Sequence, residues 1–570
     1  MAVRKPSEGA VADNHALLVT DFGLWTPSGR RLYDKPIESV DQLLRALLWR
    51  RHDLRAAKVP PQAWILAGAC EQLGWGPDAV DPGEEDDPIE EVIGRLDAVT
   101  DELFAPLLAE DDDDDGWHLF RPAGESGWRI HLLHTANGGR DRFLIDLFLE
   151  GWASLTSRDR FNILGSKAHG TVFDFDNDRD GARELGRRLV WHLDNLKVLP
   201  GNTPARTGAA MADRIWDTRK KNAKTTKARS GTKAPGAFPV KATPLPPVDD
   251  DFVEDIEPVG TWSRAVGTDE FVVGPRAGGE EVIRLVTIDQ RASYLASAGM
   301  VSLGLGELQH LAGDDAAAQL SESATLPFGL WRVTLPAAAS LGLPPLLPLP
   351  HPRMAIDRDT QMWVTTESVK SLTAPIASGG AGLDWLDLGV TEAWLTDQQG
   401  LALKTWKEDL AAARTSAIDA GDPAMKAMVG DIYKGYLGRM ANPELWQGRL
   451  AHHHQPLWRA SIIAHARHRS RAKATAVAAD HQIWPIKSVT DSWTYLVPGN
   501  VEVADDAPGP DGTVGRAGRY LGKFTTESDV VLDDERLLAL LNTTTAAEVT
   551  QAVDAIERAA KNPTHPGTGA

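Results

Sequence analysis

The stretch EEVIRLVTIDQRASYL (280–295) decides how this chain is read. Its first ten residues form an apolar, β-branched run that predicts a strand. The strand closes on Asp289 and passes at once into a helix-compatible segment. A carboxylate at a strand end can hold a divalent cation against a substrate phosphate. The plainer role is that of a turn residue, because Asp side chains readily bond nearby backbone. Far downstream, IWPIKSVTDSWTYLVPG (483–499) reads as strand, turn and strand, with Asp491 at the turn. Two carboxylates converging from different strands are what two-metal phosphoryl transfer requires, with ions ~3.5–4 Å apart. Spacing alone leaves both roles open.

The segments around these two acids narrow the choice. PRAGG (275–279) precedes the first strand and carries Gly278 and Gly279. DQRASYL (289–295) follows, then KAMVGDIYK (426–434), VTDSW (489–493) and LGKFTTES (521–528). In that order the chain resembles the protein-primed branch of the family B DNA polymerases, enzymes of certain phages and linear plasmids. That family carries Tyr-x-Gly-Gly, then motif A (Asp-x-x-Ser-Leu-Tyr-Pro), motif B (Lys-x-x-x-Asn-Ser-x-Tyr-Gly) and motif C (Tyr-x-Asp-Thr-Asp-Ser). Asp289 and Tyr294 match motif A, with Leu295 in the Pro position. Lys426 and Tyr433 match motif B, with Gly430 for Asn and Lys434 for Gly. Thr490, Asp491 and Ser492 match motif C, whose first acid is replaced by Val489.

The resemblance implies that Asp289 and Asp491 are catalytic and hold two magnesium ions. Tyr294 would lie under the incoming sugar. Arg414, Lys426, Tyr433 and Lys434 would face the triphosphate of a deoxynucleotide. Gly278, Gly279 and Lys523 would contact the DNA. An exonuclease half leaves traces in Asp21, in Asn137 with Asp141, and in Asp180, with Asp178 as a substitute for the last. Gly23 stands where that half expects a Glu, so little 3′→5′ digestion is expected.

The implied fold class is α/β and α+β, multidomain. An RNase H-like, exonuclease-like domain (1–216) is followed by a basic, Pro-rich linker (217–255). Polymerase-like palm and fingers (256–530) come next, and a short helical tail (531–570) stands for a reduced thumb. The implied partners are template and primer DNA, a deoxynucleotide and a terminal (priming) protein, in plasmid, phage or telomere replication. The rival is a catalytically lapsed polymerase-like protein that binds DNA or initiates replication.

Composition agrees with a multidomain globular chain. Its 570 residues exceed what one core usually organises, and 42% are apolar. Acids outnumber Lys and Arg by 80 to 60, so no global charge favours nucleic acid or an anionic membrane. Any nucleic-acid contact must come from local patches: the segment 219–241, or Arg467, Arg469 and Arg471 on one predicted helix. Cys70 is the sole cysteine, which excludes an internal disulfide and a multi-Cys zinc site. His452, His453 and His454 read as an exposed loop, since consecutive side chains cannot all face one ion. No run suits a membrane span, and MAVRKPSEG lacks a signal peptide's apolar core, so a cytoplasmic protein is expected.

Overall fold

The computed structural model describes residues 12–56, 59–76, 78–81, 88–109, 115–121, 128–150, 152, 177–230, 256–266, 282–322, 325–499, 501–505 and 520–561. Gly278, Gly279, most of the acidic run 110–115 and residues 231–255 of the expected linker lie outside them. The chain divides into two compact units: Met1–Pro239 with Glu408–Gln447, and Val240–Lys407 with Gly448–Ala570.

The first unit is built on a seven-stranded mixed sheet. Strands β1 (Ala16–Thr20), β2 (Gly23–Trp25) and β3 (Arg31–Tyr33) make an antiparallel meander. Helix α1 (Val40–Arg50) leads to β4 (Gln62–Ile65), which runs parallel to β1, and short α2 (Ala67–Leu73) and α3 (Ile89–Phe104) follow. Strands β5 (Gly116–Phe120), β6 (Arg129–Ala136) and β7 (Asp141–Leu149) complete it, with β7 parallel to β4. Strands β1 and β4 are buried along their whole length and are apolar but for Thr20 and Gln62. Asp146 sits in this interior opposite His131 and is paired with Arg129 at 2.7 Å and His131 at 2.6 Å.

HALLVTDFGLW, which reads as one strand, is a hairpin of β1 and β2. Gly23 makes the turn possible at φ 140°, where a Cβ would lie 2.2 Å from the Tyr33 carbonyl oxygen. Helix α4 (Asp178–Asn195) buries Leu185, Leu189 and Leu193, the stripe its spacing predicts. Helix α5 (Pro204–Ser230) is continuous through 217–230, so that part of the expected linker is helical. It packs on a helix from residues 408–447: a Cβ on Gly208 would meet Tyr436 Cβ at 2.6 Å, so glycine permits the approach.

The second unit centres on a five-stranded antiparallel sheet. Its strands are β8 (Thr261–Ser263), β9 (Ile283–Gln290), and further along β16 (Pro485–Val489), β17 (Ser492–Pro498) and β18 (Phe524–Val531). Their spatial order is β18-β9-β17-β16-β8. Between β9 and β16 the chain forms α6 (Ser293–Ala298), β10 (Leu303–Gly304), β11 (Gln309–Ala312), α7 (Asp314–Glu322), β12 (Phe328–Leu335), β13 (Thr360–Thr365) and α8 (Thr366–Thr373). It continues through β14 (Glu392–Thr396), β15 (Gln399–Gly400), α9 (Lys404–Asp419), α10 (Pro423–Arg439) and α11 (Pro456–His481). Strands β11, β14, β12 and β13 form a separate four-stranded sheet.

Both faces of the five-stranded sheet are covered. Trp493, Tyr495 and Val497 alternate onto one face and pack with Ala474 and Val477 of α11. Leu285 and Leu496 occupy the other with Val549, Val553 and Ile556. The latter three belong to α13 (Ala546–Lys561), which follows α12 (Asp534–Leu541). The segment expected as a short helical tail is thus the lid of a core. His452–His454 likewise differ from an exposed loop, since a short 3-10 turn ends there with His453 buried.

Candidate active site

Asp289 is the penultimate residue of β9, and Ser492 of β17 lies directly across from it. Strands β16 and β17 are joined by a turn in which Thr490 adopts φ 55°. The Gln290 N–H donates to the Asp491 carbonyl at 3.3 Å. On the other side of β9, Thr525 faces Asp289, and the Arg291 N–H donates to the Lys523 carbonyl at 2.9 Å. The chain leaving β9 therefore passes between Asp491 and Lys523. Residues opposite one another on such strands have Cα atoms about 4.5–5.5 Å apart. Three residues picked from distant parts of the sequence thus meet at one end of one sheet.

Local bonds fix this exit. Ser293 Oγ donates to Gln290 Oε1 at 2.7 Å, and Gln290 Nε2 donates to the Gly522 carbonyl at 3.1 Å. Asp289 and Asp491 are half-buried and Lys523 is exposed, so all three reach solvent or a ligand. The strand period places Asp289 on the face of Thr287 and Leu285. Asp491 stands on the turn, off the pleat, and lines a cavity with Tyr294. Thr490 Oγ1 donates to Asp491 Oδ1 at 2.8 Å and also hydrogen-bonds with the Tyr294 phenol. Burial, then the Asp491 charge, pushes that phenol up to about 12, so it stays protonated at neutral pH.

One acid on the Asp289 face escaped the sequence reading. Glu557 of α13 accepts from Thr287 Oγ1 at 2.6 Å and from Ser528 Oγ at 3.0 Å, one row below Asp289. No spacing rule links residue 557 to 289, because only the packing of α13 on the sheet brings them together.

Helix α11 carries its arginines inward. Arg469 Nη2 donates to the Gly522 carbonyl at 3.1 Å. Arg467 pairs with Glu257, whose Oε1 also accepts from Ser368 Oγ at 2.5 Å and Thr365 Oγ1 at 2.8 Å. Burial works to raise the Glu257 pKa, but the Arg467 charge and the His351 and Ser368 contacts outweigh it and hold the carboxyl well below its usual range. These arginines brace the fold beside Tyr294 and Asp491; they do not form a solvated stripe.

The remaining expected residues fall in the first unit. Arg414 lies on α9, and Lys426, Tyr433 and Lys434 lie on α10. Lys426 and Lys434 are exposed, whereas Tyr433 is only 7% exposed and faces the core. Asp21 follows the end of β1, and its backbone N–H donates to Asp178 Oδ2 at 2.8 Å. Asp178 also accepts from the Gly68 and Ala69 N–H groups at 2.8 and 3.1 Å. Burial, and next the Asp178 charge, pushes the Asp21 pKa up.

The structure does not gather the rest of the exonuclease set around Asp21. Asn137 and Asp141 bond each other at the β6–β7 turn. Because β7 runs parallel to β1 through β4, Asp141 starts at the opposite end of the sheet from Asp21. The offset is about ten residues along the strands, on the order of 30 Å. Asp180 points to solvent and pairs with Arg183 at 3.3 Å, so Asp178 is the acid that approaches Asp21.

No known family profile matches this chain, and neither does any curated protein. Among solved structures it is similar to phi29 DNA polymerase complexed with primer-template DNA and incoming nucleotide substrates. That match has 10% identity and a TM-score of 0.45, over 90% of this chain and 84% of that chain. It is also similar to phi29 DNA polymerase complexed with single-stranded DNA, at 12% identity and a TM-score of 0.44, over 90% and 83%. Among the described residues no helix is long and apolar enough to cross a membrane.

Proposed function

We propose that this chain is a DNA polymerase-like nucleotidyltransferase of the protein-primed family B kind. The observation that carries the reading is the register of β9, β17 and β18, which sets Asp289 beside Ser492 and Thr525 and brings Asp491 and Lys523 to the same sheet end. An oxygen-only donor set with two half-buried carboxylates suits a hard cation such as magnesium. Bound there, two magnesium ions would activate the primer hydroxyl and neutralise the triphosphate.

The protein's own share is orientation. Asp289 and Asp491 present carboxylate oxygens from neighbouring backbones, held by the sheet's ladder. Tyr294, protonated and fixed by Thr490, offers its ring as the floor for the deoxyribose. Lys523 lies along the path of the primer strand, with Gly278 and Gly279 as further DNA contacts. Lys426, Lys434 and Arg414 belong to the first unit, and the Tyr433 ring there serves as packing. The context we infer is plasmid, phage or telomere replication in the cytoplasm, with a terminal protein as the source of the primer hydroxyl. Proofreading is absent or slight, because Gly23 cannot be a carboxylate without disturbing β3.

One observation favours the rival, a lapsed polymerase-like protein that binds DNA or initiates replication. A Cβ at Gly430 would meet nothing within 4 Å, so the fold does not force the loss of the motif B Asn. Primer extension with magnesium separates the two readings. The wild type should incorporate deoxynucleotides, and Asp289→Ala and Asp491→Ala should each abolish incorporation while leaving thermal unfolding unchanged. Salt-sensitive DNA binding without incorporation by the wild type would establish the rival.

A further inference from the structure

The cavity beside Asp491 encloses about 570 Å3, within the range of about 300–1,000 Å3 typical of small-molecule sites. Its walls are mainly apolar: Trp262 and Trp493 from the sheet, Pro344 and Pro348 from the loop after β12, and Ile463 and Ala466 from α11. Flat rings and prolines on several sides favour a planar apolar body.

One wall is charged, and among the described lining residues Asp491 is the only acid. Arg471 lines the cavity and is 3% exposed. Its Nε donates to the Pro348 carbonyl at 3.0 Å, and its Nη1 donates to the carbonyls of Gly379 and, at 3.2 Å, Gly380. Among the described residues its buried Nη2 has no hydrogen-bond partner. Burial pulls the guanidinium down to about 10, so it remains a cation at neutral pH. Arg467, in the same wall, has Glu257 as its counter-charge. Asp491 also lines the cavity, where its charge bears on Tyr294. A buried cation whose partners are carbonyl oxygens alone, with a free N–H at an apolar cavity, is complementary to an organic anion.

We propose that this cavity is a binding site for a small planar organic anion, its apolar body between Trp262, Trp493 and the Pro344–Pro348 loop and its anionic group on Arg471 Nη2. The site adjoins the proposed metal and nucleotide site, because Asp491 and Tyr294 also line the cavity. It stands whether or not the chain polymerises DNA.

Calorimetric titration of the full chain with naphthoate, and with uncharged naphthamide, tests this directly. Naphthoate should bind with single-site stoichiometry, and naphthamide about tenfold more weakly, as expected for loss of a charge-assisted hydrogen bond. Arg471→Met should weaken naphthoate by a similar factor and leave naphthamide unchanged. Because Arg471 also holds three carbonyls, Ala466→Phe provides a second arm that fills the cavity from α11 and keeps the guanidinium. That variant should lose both ligands while retaining the wild-type unfolding temperature. Equal affinity for the two ligands, naphthoate binding that survives Ala466→Phe, or no naphthoate binding to the wild type would each overturn the proposal.

Discussion

At the scale of single residues, small local facts separate residues that look alike in sequence. Asp289 and Asp491 look alike in sequence, yet one closes a strand and the other rides a turn that Thr490 enters with positive φ. Glu257 gives no sequence signal, although it anchors Arg467, His351, Ser368 and Thr365. Glu257→Ala would leave the Arg467 charge buried without its partner. The expected cost is about 3–5 kcal/mol, read by urea unfolding. Gly23 makes the opposite point. Restoring the missing acid by Gly23→Glu should yield no exonuclease activity and should destabilise the chain by about 2 kcal/mol or more, since a side chain there meets the Tyr33 carbonyl. Digestion of single-stranded DNA by that variant at wild-type stability would contradict the assignment of Gly23 to the turn.

At the scale of elements, α11 shows how a helix legible in sequence acquires its role from its surroundings. The run 456–481 is plainly helical, but its basic residues suggest a solvated face, whereas packing half-buries Arg467 and Arg469 and buries Arg471. His465 is held neutral by burial first and by the nearby charges of Arg469, His468 and Lys370, so it titrates at about 4. Burial lowers His468 and His351 as well. Between the ordinary histidine value of about 6.5 and that depressed value, the unfolded chain binds protons that the fold refuses. The contribution is complete above pH about 6.5 and is lost as pH falls towards the folded value. Glu257 acts in the same direction but lower, since its depressed carboxyl loses its stabilising effect as pH drops below about 4.3. Thermal unfolding followed from neutral to acid pH should therefore show a steady loss, and His465→Gln should flatten its upper part. An unchanged slope in that variant would remove His465 from the account.

At the scale of the whole molecule, the C-terminal helices carry more than their sequence suggests. Residues 531–570 read as a brief acidic tail, yet Val549 and Val553 are fully buried against Leu285 and Leu496. Ile556→Ala should cost about 2–5 kcal/mol, as core truncations do. Removal of residues 546–570 should expose the sheet face and produce binding of a hydrophobic dye, with loss of incorporation. Retained solubility and activity after that deletion would show that α13 is dispensable. Residues 408–447 show a similar effect, since their helices are readable but their place with the first unit is not.

The sequence by itself determined the strands around Asp289 and Asp491, the long helices, the mixed α and β class and the two acids worth testing. The strands, helices and class depend on periodicity, β-branching and turn chemistry, all local properties of the chain, while the two acids were singled out by the order of motifs that resembles a polymerase family. Tertiary structure alone decided that β9, β17 and β18 share a sheet end, that Glu557 lies below Asp289, that Asp178 rather than Asp180 approaches Asp21, and that Asp141 stands far from it. Each is a long-range pairing set by strand register and by which apolar faces cover one another, and no window of sequence contains that information.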